Sequence, residues 1–292
     1  MSSNLWLGTP DRYARLRRIE ALDLKEGYRE ITILFYGDFR SVMLPKSFNG
    51  FMFTFSSPRM SRILNSTGEI QQRIAKRVVD TTLLASAVML EGFGSAAGGE
   101  AARRVHTMHS HYDIHEDDFV ATAAEEALAS LDLAEKFGWR PVTAKESEAL
   151  RLYYSRQARV FGSRKPLPAS IPLTRQLFSR YLDEHVRFEP QNQRLANVLI
   201  DWFCGLVPRP MRGIYRTFLL ANLDPRITRA CGFQVPSKLS SWATYAVMKK
   251  MGMRDPVPDG APNRLDALVK SVYPNGWQMD RLGTHLENHE PA

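Results

Sequence analysis

Apolar side chains recur every three or four residues along most of the chain, which places them on one face of an α-helix. The pattern repeats in segments separated by proline or glycine, among them 173–188, 192–206, 211–220, 239–251 and 264–272. One short apolar run, 31–36, has the composition of a strand and is also compatible with the start of a helix. Strands do not alternate with helices as they would in a Rossmann-type sheet. The pattern therefore predicts an all-α fold, a single globular domain of many helices.

Two candidate capping boxes predict where helices begin. Ser66 stands three residues before Glu69, and Thr143 stands three residues before Glu146. In such a pair each side chain satisfies a backbone N–H group at the start of a helix. The acidic stretch 115–118 predicts another helix start, because carboxylates interact favourably with the positive end of the helix dipole. The alanines that follow it allow close helix packing.

Four of the seven histidines lie within the segment 100–118. Read as a helix, this segment places Ala102, Val105, His109 and Tyr112 on one face, so His109 is predicted to point into the protein. A histidine that faces a core needs partners for its ring nitrogens, such as a carboxylate, a backbone carbonyl or a metal.

The local spacing leaves three interpretations of this segment open. His109 could be a hydrogen-bonded core histidine, with the other histidines in solvent. Alternatively, His106, His109, His111 and His115 could form a non-haem site for zinc, iron or copper. Residues 109–113 match the HxHxD part of the metallo-β-lactamase motif, but Ile114 stands where the next histidine should be, and the flanks predict helix. Finally, one inward histidine is enough for an axial haem ligand.

The preceding predicted helix carries two polar residues on a mostly apolar face. Arg77 and Thr81 share this face with Leu84 and Val88. One interpretation is structural: Arg77 pairs with Asp80 on the surface and the Thr81 hydroxyl bonds back to its own helix. The other is functional: a cation and a hydroxyl point together into a cavity.

Composition restricts the classes of protein that remain. The 292 residues are 44% hydrophobic, enough for a sizeable core, and the two cysteines form no CxxC pair, which argues against disulfide scaffolds and thiolate metal sites. The N-terminus shows no signal peptide, and the longest apolar runs are about half the ~20 residues of a membrane span. We therefore expect a soluble cytoplasmic protein. The net charge of +8 comes from dispersed residues, so we expect no nucleic-acid binding and at most weak peripheral membrane contact.

We divide the chain into three parts. Residues 1–30 are polar and are expected to form an N-terminal arm or a short helix. Residues 31–273 form the helical domain, and residues 274–292 form a polar C-terminal tail that we expect to be loosely attached.

Five motifs in one order resemble the family of MpaB and the latex-clearing proteins, a family of haem-b oxygenases. They are PRMSRILNSTGEI (58–70), RVVDT (77–81), RRVHTMHSHY (103–112), DDFVATAAEEAL (117–128) and GWRPVTAKESEAL (138–150). The resemblance covers residues 48–162 well and the remaining helical part loosely. We expect neither the membrane anchor of the fungal members nor the export signal of secreted rubber oxygenases in this chain.

This resemblance implies an all-helical fold that encloses one haem b, with dioxygen as co-substrate and oxidative cleavage of C=C bonds as the best-known activity. By position, His109 would be the proximal iron ligand and the metal-binding residue. Arg77 and Thr81 would lie in the haem pocket as cofactor-binding and catalytic residues. Asp80 stands where rubber-cleaving relatives have a lysine, which argues against rubber as the substrate.

The leading hypothesis is thus a haem-dependent oxygenase for an apolar unsaturated small molecule. One rival is a non-haem metallohydrolase built on His106, His109 and His111. Other rivals are a non-catalytic haem- or lipid-binding protein and an interaction protein with no metal. The sequence does not indicate an oligomeric state.

Overall fold

Fourteen α-helices follow one another along residues 4–284, the part of the chain that this computed structural model describes. Their bounds are Ala14–Ala21 (α1), Leu24–Asp38 (α2), Lys46–Ser56 (α3), Pro58–Thr67 (α4), Glu69–Glu91 (α5), Ala96–Ser110 (α6), Glu116–Phe137 (α7), Ala144–Phe161 (α8), Ile171–His185 (α9), Pro190–Gly205 (α10), Arg212–Leu220 (α11), Pro225–Ala230 (α12), Lys238–Gly252 (α13) and Arg264–Val272 (α14). Two 3₁₀ turns lie at Arg209–Met211 and Met279–Arg281. No strand occurs in these residues, so the all-α prediction is confirmed.

The apolar run 31–36 belongs to helix α2, and the strand interpretation is wrong. Asp23 starts this helix, because its side chain accepts hydrogen bonds from the backbone N–H groups of Lys25 and Glu26. Ile31 and Phe35 are then fully buried one turn apart, as helical spacing requires. Helix α2 runs without a break through residue 30, where we had expected the N-terminal arm to end.

The two predicted capping boxes have different outcomes. At α8, Thr143 Oγ1 accepts from the N–H of Glu146 (3.2 Å), and Glu146 Oε2 accepts from the N–H of Thr143 (2.8 Å), so that box is confirmed. The Ser66–Glu69 box is wrong. Ser66 lies inside α4, where its hydroxyl donates to a carbonyl of its own helix, and α5 begins after Gly68 in a left-handed conformation (φ 69°). The left-handed glycine ends α4 and therefore separates the two helices.

Helix α7 lies in the middle of the main core and packs against α3, α8, α9 and α13. Its start at Glu116 and its end before Gly138 agree with the sequence pattern. Ala121, Ala124 and Ala127 are fully buried, and such small side chains let the neighbouring helices approach closely. The large buried residues around them include Phe35, Phe53 and Tyr153.

A second apolar cluster joins α5 and α6 to the C-terminal segment. It contains Leu84, Val88, Val105 and Met108, and Leu282 is fully buried among them. The loose attachment that we expected for the tail is therefore wrong for its described part, because a buried leucine fixes it to the helices. His285 and His289 lie outside the described residues. No helix from residue 4 to residue 284 has the length and apolar character needed to cross a membrane.

Candidate functional site

His109 lies in the last turn of α6, a helix that packs on α5 and α8. The start of α6 is held close to the end of α5: a Cβ on Gly98 would lie 2.1 Å from the carbonyl oxygen of Gly92. Only glycine permits this approach. Val105 and Met108 on the same helix are buried, and His109 is half-buried beside them. The predicted inward face of the histidine helix is therefore present, although the helix ends before Tyr112.

A hydrogen bond fixes the orientation and the tautomer of the His109 ring. Its Nδ1 lies 2.8 Å from the carbonyl oxygen of Phe161. A carbonyl oxygen only accepts, so Nδ1 carries the proton and donates it, and Nε2 keeps an unprotonated lone pair. Burial lowers the pKa of His109, and the charge of Arg77 lowers it further. The ring is thus a neutral imidazole with one nitrogen able to bind a metal.

Aromatic rings surround this imidazole. The ring centroid of Phe119, from the first turns of α7, lies 5.5 Å from that of His109, and the ring of Phe161 lies at 6.4 Å. Both are edge-on contacts. They place apolar surface against two sides of the ring.

Arg77 and Thr81 lie together on α5 and face the same region. Arg77 Nη1 donates to Thr81 Oγ1 (2.5 Å), and the Thr81 hydroxyl donates to the carbonyl oxygen of Arg77 (2.7 Å). The back-bond that we considered for Thr81 is therefore present, together with a contact to Arg77. The charge of Arg77 influences the pKa of both His109 and Tyr112, so the guanidinium lies near the histidine.

The surface pair that we considered between Arg77 and Asp80 is wrong. Asp80 is buried and accepts hydrogen bonds from Lys76, from the Tyr273 hydroxyl and from the N–H of Gly283 (2.7 Å). Its carboxylate therefore anchors the C-terminal segment to α5. Among the described residues, no carboxylate lies within salt-bridge distance of Arg77. Burial lowers the pKa of the Arg77 guanidinium. Arginine stays charged even so, and Arg77 is a cation able to bind an anionic group.

Of the other histidines, only His106 is close enough for its charge to lower the pKa of His109. His111 is exposed and its Nδ1 bonds to the carbonyl oxygen of Thr107 (2.7 Å), while His115 is exposed at the N-cap of α7. His106 is also exposed. Between residues 4 and 284, no three His, Cys, Asp or Glu side chains come together as a metal site would require. The geometry thus does not form the three-histidine site of the metallohydrolase hypothesis.

Sequence reasoning missed the partners of His109. Phe161 is the last residue of α8, and its carbonyl is one of those that a helix leaves unsatisfied at its C-terminus. Gly162, with φ 125°, ends the helix there and could have been read as a stop signal. Nothing in the local pattern indicates that this carbonyl meets a side chain 52 residues away.

A comparison with protein families identifies the family of this chain. Residues 33–251 match the family model described as ER-bound oxygenase mpaB/B'/Rubber oxygenase, catalytic domain. The chain belongs to this family. The resemblance seen in the sequence is thereby confirmed, and the match extends it from residues 48–162 over most of the helical domain. No curated protein matches the chain.

Membership of the mpaB/rubber oxygenase family supports oxygenase chemistry in general. The matched residues include Arg77, Thr81 and His109, and they extend from the middle of α2 to the end of α13. Helix α14 and the C-terminal segment lie outside the match, although Leu282 packs on the same helices that carry the three residues.

Proposed function

We propose that this chain is a haem-b-dependent oxygenase that acts on an apolar unsaturated small molecule. The observation that carries the proposal is the hydrogen bond from His109 to Phe161, which leaves Nε2 as a neutral donor for iron, with apolar surface on two sides of the ring. Membership of the family supports oxygenase activity in general. The haem cofactor, the iron ligand and the class of substrate are our own proposals.

The residues on α5 and α6 fit a haem group. His109 would bind the iron through Nε2, with the ring held by the Phe161 carbonyl. Arg77, a cation without a carboxylate partner among the described residues, would bind a propionate, because a guanidinium matches a carboxylate with two parallel hydrogen bonds. A bound haem would supply the iron that activates dioxygen.

Thr81 acts first as a positioning residue in this proposal. Its oxygen accepts from Arg77 and its proton is directed to a backbone carbonyl, so both functions of the hydroxyl are used inside the helix. Thr81 thus keeps the guanidinium of Arg77 turned toward the site. A catalytic contact of Thr81 with dioxygen would require its hydroxyl to rotate away from that carbonyl.

The substrate class follows from the surroundings of His109. Phe119 and Phe161 flank the imidazole, and aromatic walls favour an apolar ligand. Asp80 occupies the position of a lysine in rubber-cleaving relatives and is engaged with the C-terminal segment. We therefore propose a small alkene, such as a terpenoid or a polyketide side chain, and not rubber.

Haem binding is tested by the visible spectrum and the haem content of protein expressed with a haem precursor. We expect a Soret band with about one haem per chain, and a lower haem content in Arg77→Leu. Arg73→Leu is the matched control, because Arg73 is on the same helix but exposed and paired with Glu69. Absence of a Soret band from the parent protein, or equal loss in both variants, would contradict the proposal.

Oxygenation is tested with farnesol under ¹⁸O₂, followed by mass spectrometry of the products. Hexahydrofarnesol, which has the same carbon skeleton without double bonds, is the matched control. We expect labelled carbonyl products from farnesol alone. A haem protein that gives no labelled product from farnesol and related terpenoid alkenes would support the non-catalytic haem-binding alternative.

A further inference from the structure

The excess of positive charge in this protein lies in one segment of the chain. The cations form no long run, but residues 205–254 contain nine lysines and arginines and one acidic residue, Asp224. The net charge of this segment is therefore +8, which equals the net charge of the whole chain, so the other residues balance one another. Helices α11, α12 and α13 lie in this segment. This part of the molecule is therefore the one that attracts anions.

The same segment exposes many large apolar side chains. Of the fifteen that are exposed between residues 4 and 284, nine lie within residues 205–254, which are only 50 of the 292 residues. Among them are Ile214 (75% exposed), Leu239 (75%) and Trp242 (67%). Single exposed apolar residues are common on protein surfaces. A concentration of them in a segment with one sign of charge indicates an interaction surface.

Helix α13 is apolar on its outward face as well as on its inward face. Thr244 and Met248 are buried and face the core. On the opposite face Leu239, Trp242 and Ala246 follow one another at steps of three and four residues, and all three are exposed. A surface helix normally carries polar side chains on that face. The outward face of α13 is therefore an apolar face that no other part of the described chain covers.

Cations border this apolar face at both ends of α13. Lys238 precedes Leu239, Lys250 continues the outward row four residues after Ala246, and Arg254 follows the end of the helix. All three cations are exposed, and none of them forms an ion pair with a residue from 4 to 284. Their charges are therefore available to an external anion.

Helix α11 extends this surface, because it packs against α13. Ile214 exposes an apolar side chain in its first turn, and Arg212 exposes a cation beside it. One cation of α11 already has a partner, since Arg216 Nη1 lies 3.6 Å from Asp201 Oδ1. We call the outward face of α13, its bordering cations and the exposed start of α11 the basic apolar surface.

We propose that the basic apolar surface docks on a lipid bilayer that contains anionic phospholipids. The leucine and tryptophan side chains of α13 enter the boundary between headgroups and acyl chains, and the lysines at its ends meet phosphate groups. A second copy of the chain fits less well, because it brings one segment of charge +8 against another. Nucleic acid matches the cations but leaves the apolar side chains without a partner. The proposal is independent of the proposed oxygenase activity.

The test is co-sedimentation of the full-length protein with lipid vesicles. One set of vesicles is phosphatidylcholine alone, and the other contains equal amounts of phosphatidylcholine and phosphatidylserine. We expect at least about tenfold stronger binding to the anionic vesicles at low salt, and a loss of this difference as the salt concentration rises. Equal binding to both sets, or binding to duplex DNA without binding to anionic vesicles, would overturn the proposal.

A pair of double variants assigns the electrostatic contact to α13. Lys238→Gln with Lys250→Gln removes two cations of the basic apolar surface. Lys25→Gln with Lys270→Gln is the matched control, because these two lysines are also exposed but lie outside residues 205–254. Both double variants lower the net charge equally. We expect binding to anionic vesicles to weaken about tenfold in the first and to stay nearly unchanged in the control. Equal losses would show that only the overall charge matters and would contradict the proposal.

A pair of single variants tests the apolar contact. Leu239→Ser removes an apolar side chain from the outward face of α13, and we expect it to weaken binding to anionic vesicles several-fold. Leu90→Ser is the matched control, because Leu90 is 61% exposed but lies on α5. Equal binding of the two variants would be evidence against insertion of α13. A chain that forms dimers in analytical ultracentrifugation and does not bind vesicles would assign the surface to self-association instead.

Discussion

Replacing Arg140 by leucine should destabilise the fold strongly, because Arg140 joins two buried carboxylates. Its guanidinium donates to Asp38 Oδ2 (2.6 and 3.0 Å) and to both oxygens of Glu146 (2.6 and 3.0 Å). The Arg140 side chain is 4% exposed, and the two carboxylates are fully buried. The leucine leaves Glu146 without this cation and leaves Asp38 with only the more distant Arg15, whose Nη1 lies 3.9 Å from Asp38 Oδ1. Breaking one buried ion pair costs about 3–5 kcal/mol, so we expect the free energy of unfolding at pH 7 to fall by at least that amount.

The loss of stability in Arg140→Leu should also depend on pH in a defined direction. Burial already raises the pKa of Asp38 in the parent protein, and the loss of Arg140 should raise it further, because the guanidinium no longer opposes the effect of burial. A carboxyl whose folded pKa is raised destabilises the protein at high pH and is relieved as the pH falls through that pKa. The difference between Arg140→Leu and the parent protein should therefore shrink from pH 7 to pH 5.

The assay is urea unfolding followed by circular dichroism at 222 nm. Arg164→Leu is the matched control: its ion pair with Glu116 is on the surface, with 87% of the arginine side chain exposed, and such pairs contribute about 0–1 kcal/mol. A loss below about 1 kcal/mol in Arg140→Leu, or a difference that widens toward pH 5, would refute the reasoning.

Three further predictions concern stability. Thr143→Ala should lower the free energy of unfolding by about 1 kcal/mol, because it removes the N-cap of α8. Ser66→Ala should change the free energy of unfolding by less than ~0.5 kcal/mol, because Ser66 lies inside α4. Equal losses of stability in the two variants would contradict these helix boundaries. Gly98→Ala should lower the melting temperature, since its Cβ would lie 2.1 Å from a backbone oxygen, and Gly94→Ala, with open space around it, is the control. Burial raises the pKa of Asp255 to about 6, so stability should rise as the pH falls from 7 to 4, and Asp255→Asn should flatten that rise. An unchanged pH profile in Asp255→Asn would be inconsistent with this assignment.

Helical periodicity was enough to predict the fold class and most helices after residue 66. It failed where two signals compete locally. The run 31–36 has strand composition, and only the contacts of Ile31 and Phe35 with the core show that it is helical. Ser66 has the spacing of a cap, but a left-handed glycine two residues later decides where α5 begins.

The candidate site was predictable where it depends on one helix at a time. The helical periodicity of segment 100–118 predicts that His109 points inward. The periodicity of the preceding helix places Arg77 and Thr81 on the same face. The partners could not be predicted in this way, because they come from distant segments. The Phe161 carbonyl and the Gly283 N–H meet side chains of α6 and α5 only after the chain has folded. Tertiary packing alone therefore shows that Asp80 is structural.

The assignment of His109 as the iron ligand is tested most directly by supplying free imidazole to His109→Gly. The substitution leaves the Phe161 carbonyl as an acceptor and opens space for an imidazole that donates to it and binds iron. We predict that His109→Gly loses the Soret band of the parent protein and regains it when haem and imidazole are added together, while His111→Gly keeps the band throughout. A His109→Gly variant that retains the parent spectrum without imidazole would contradict the account.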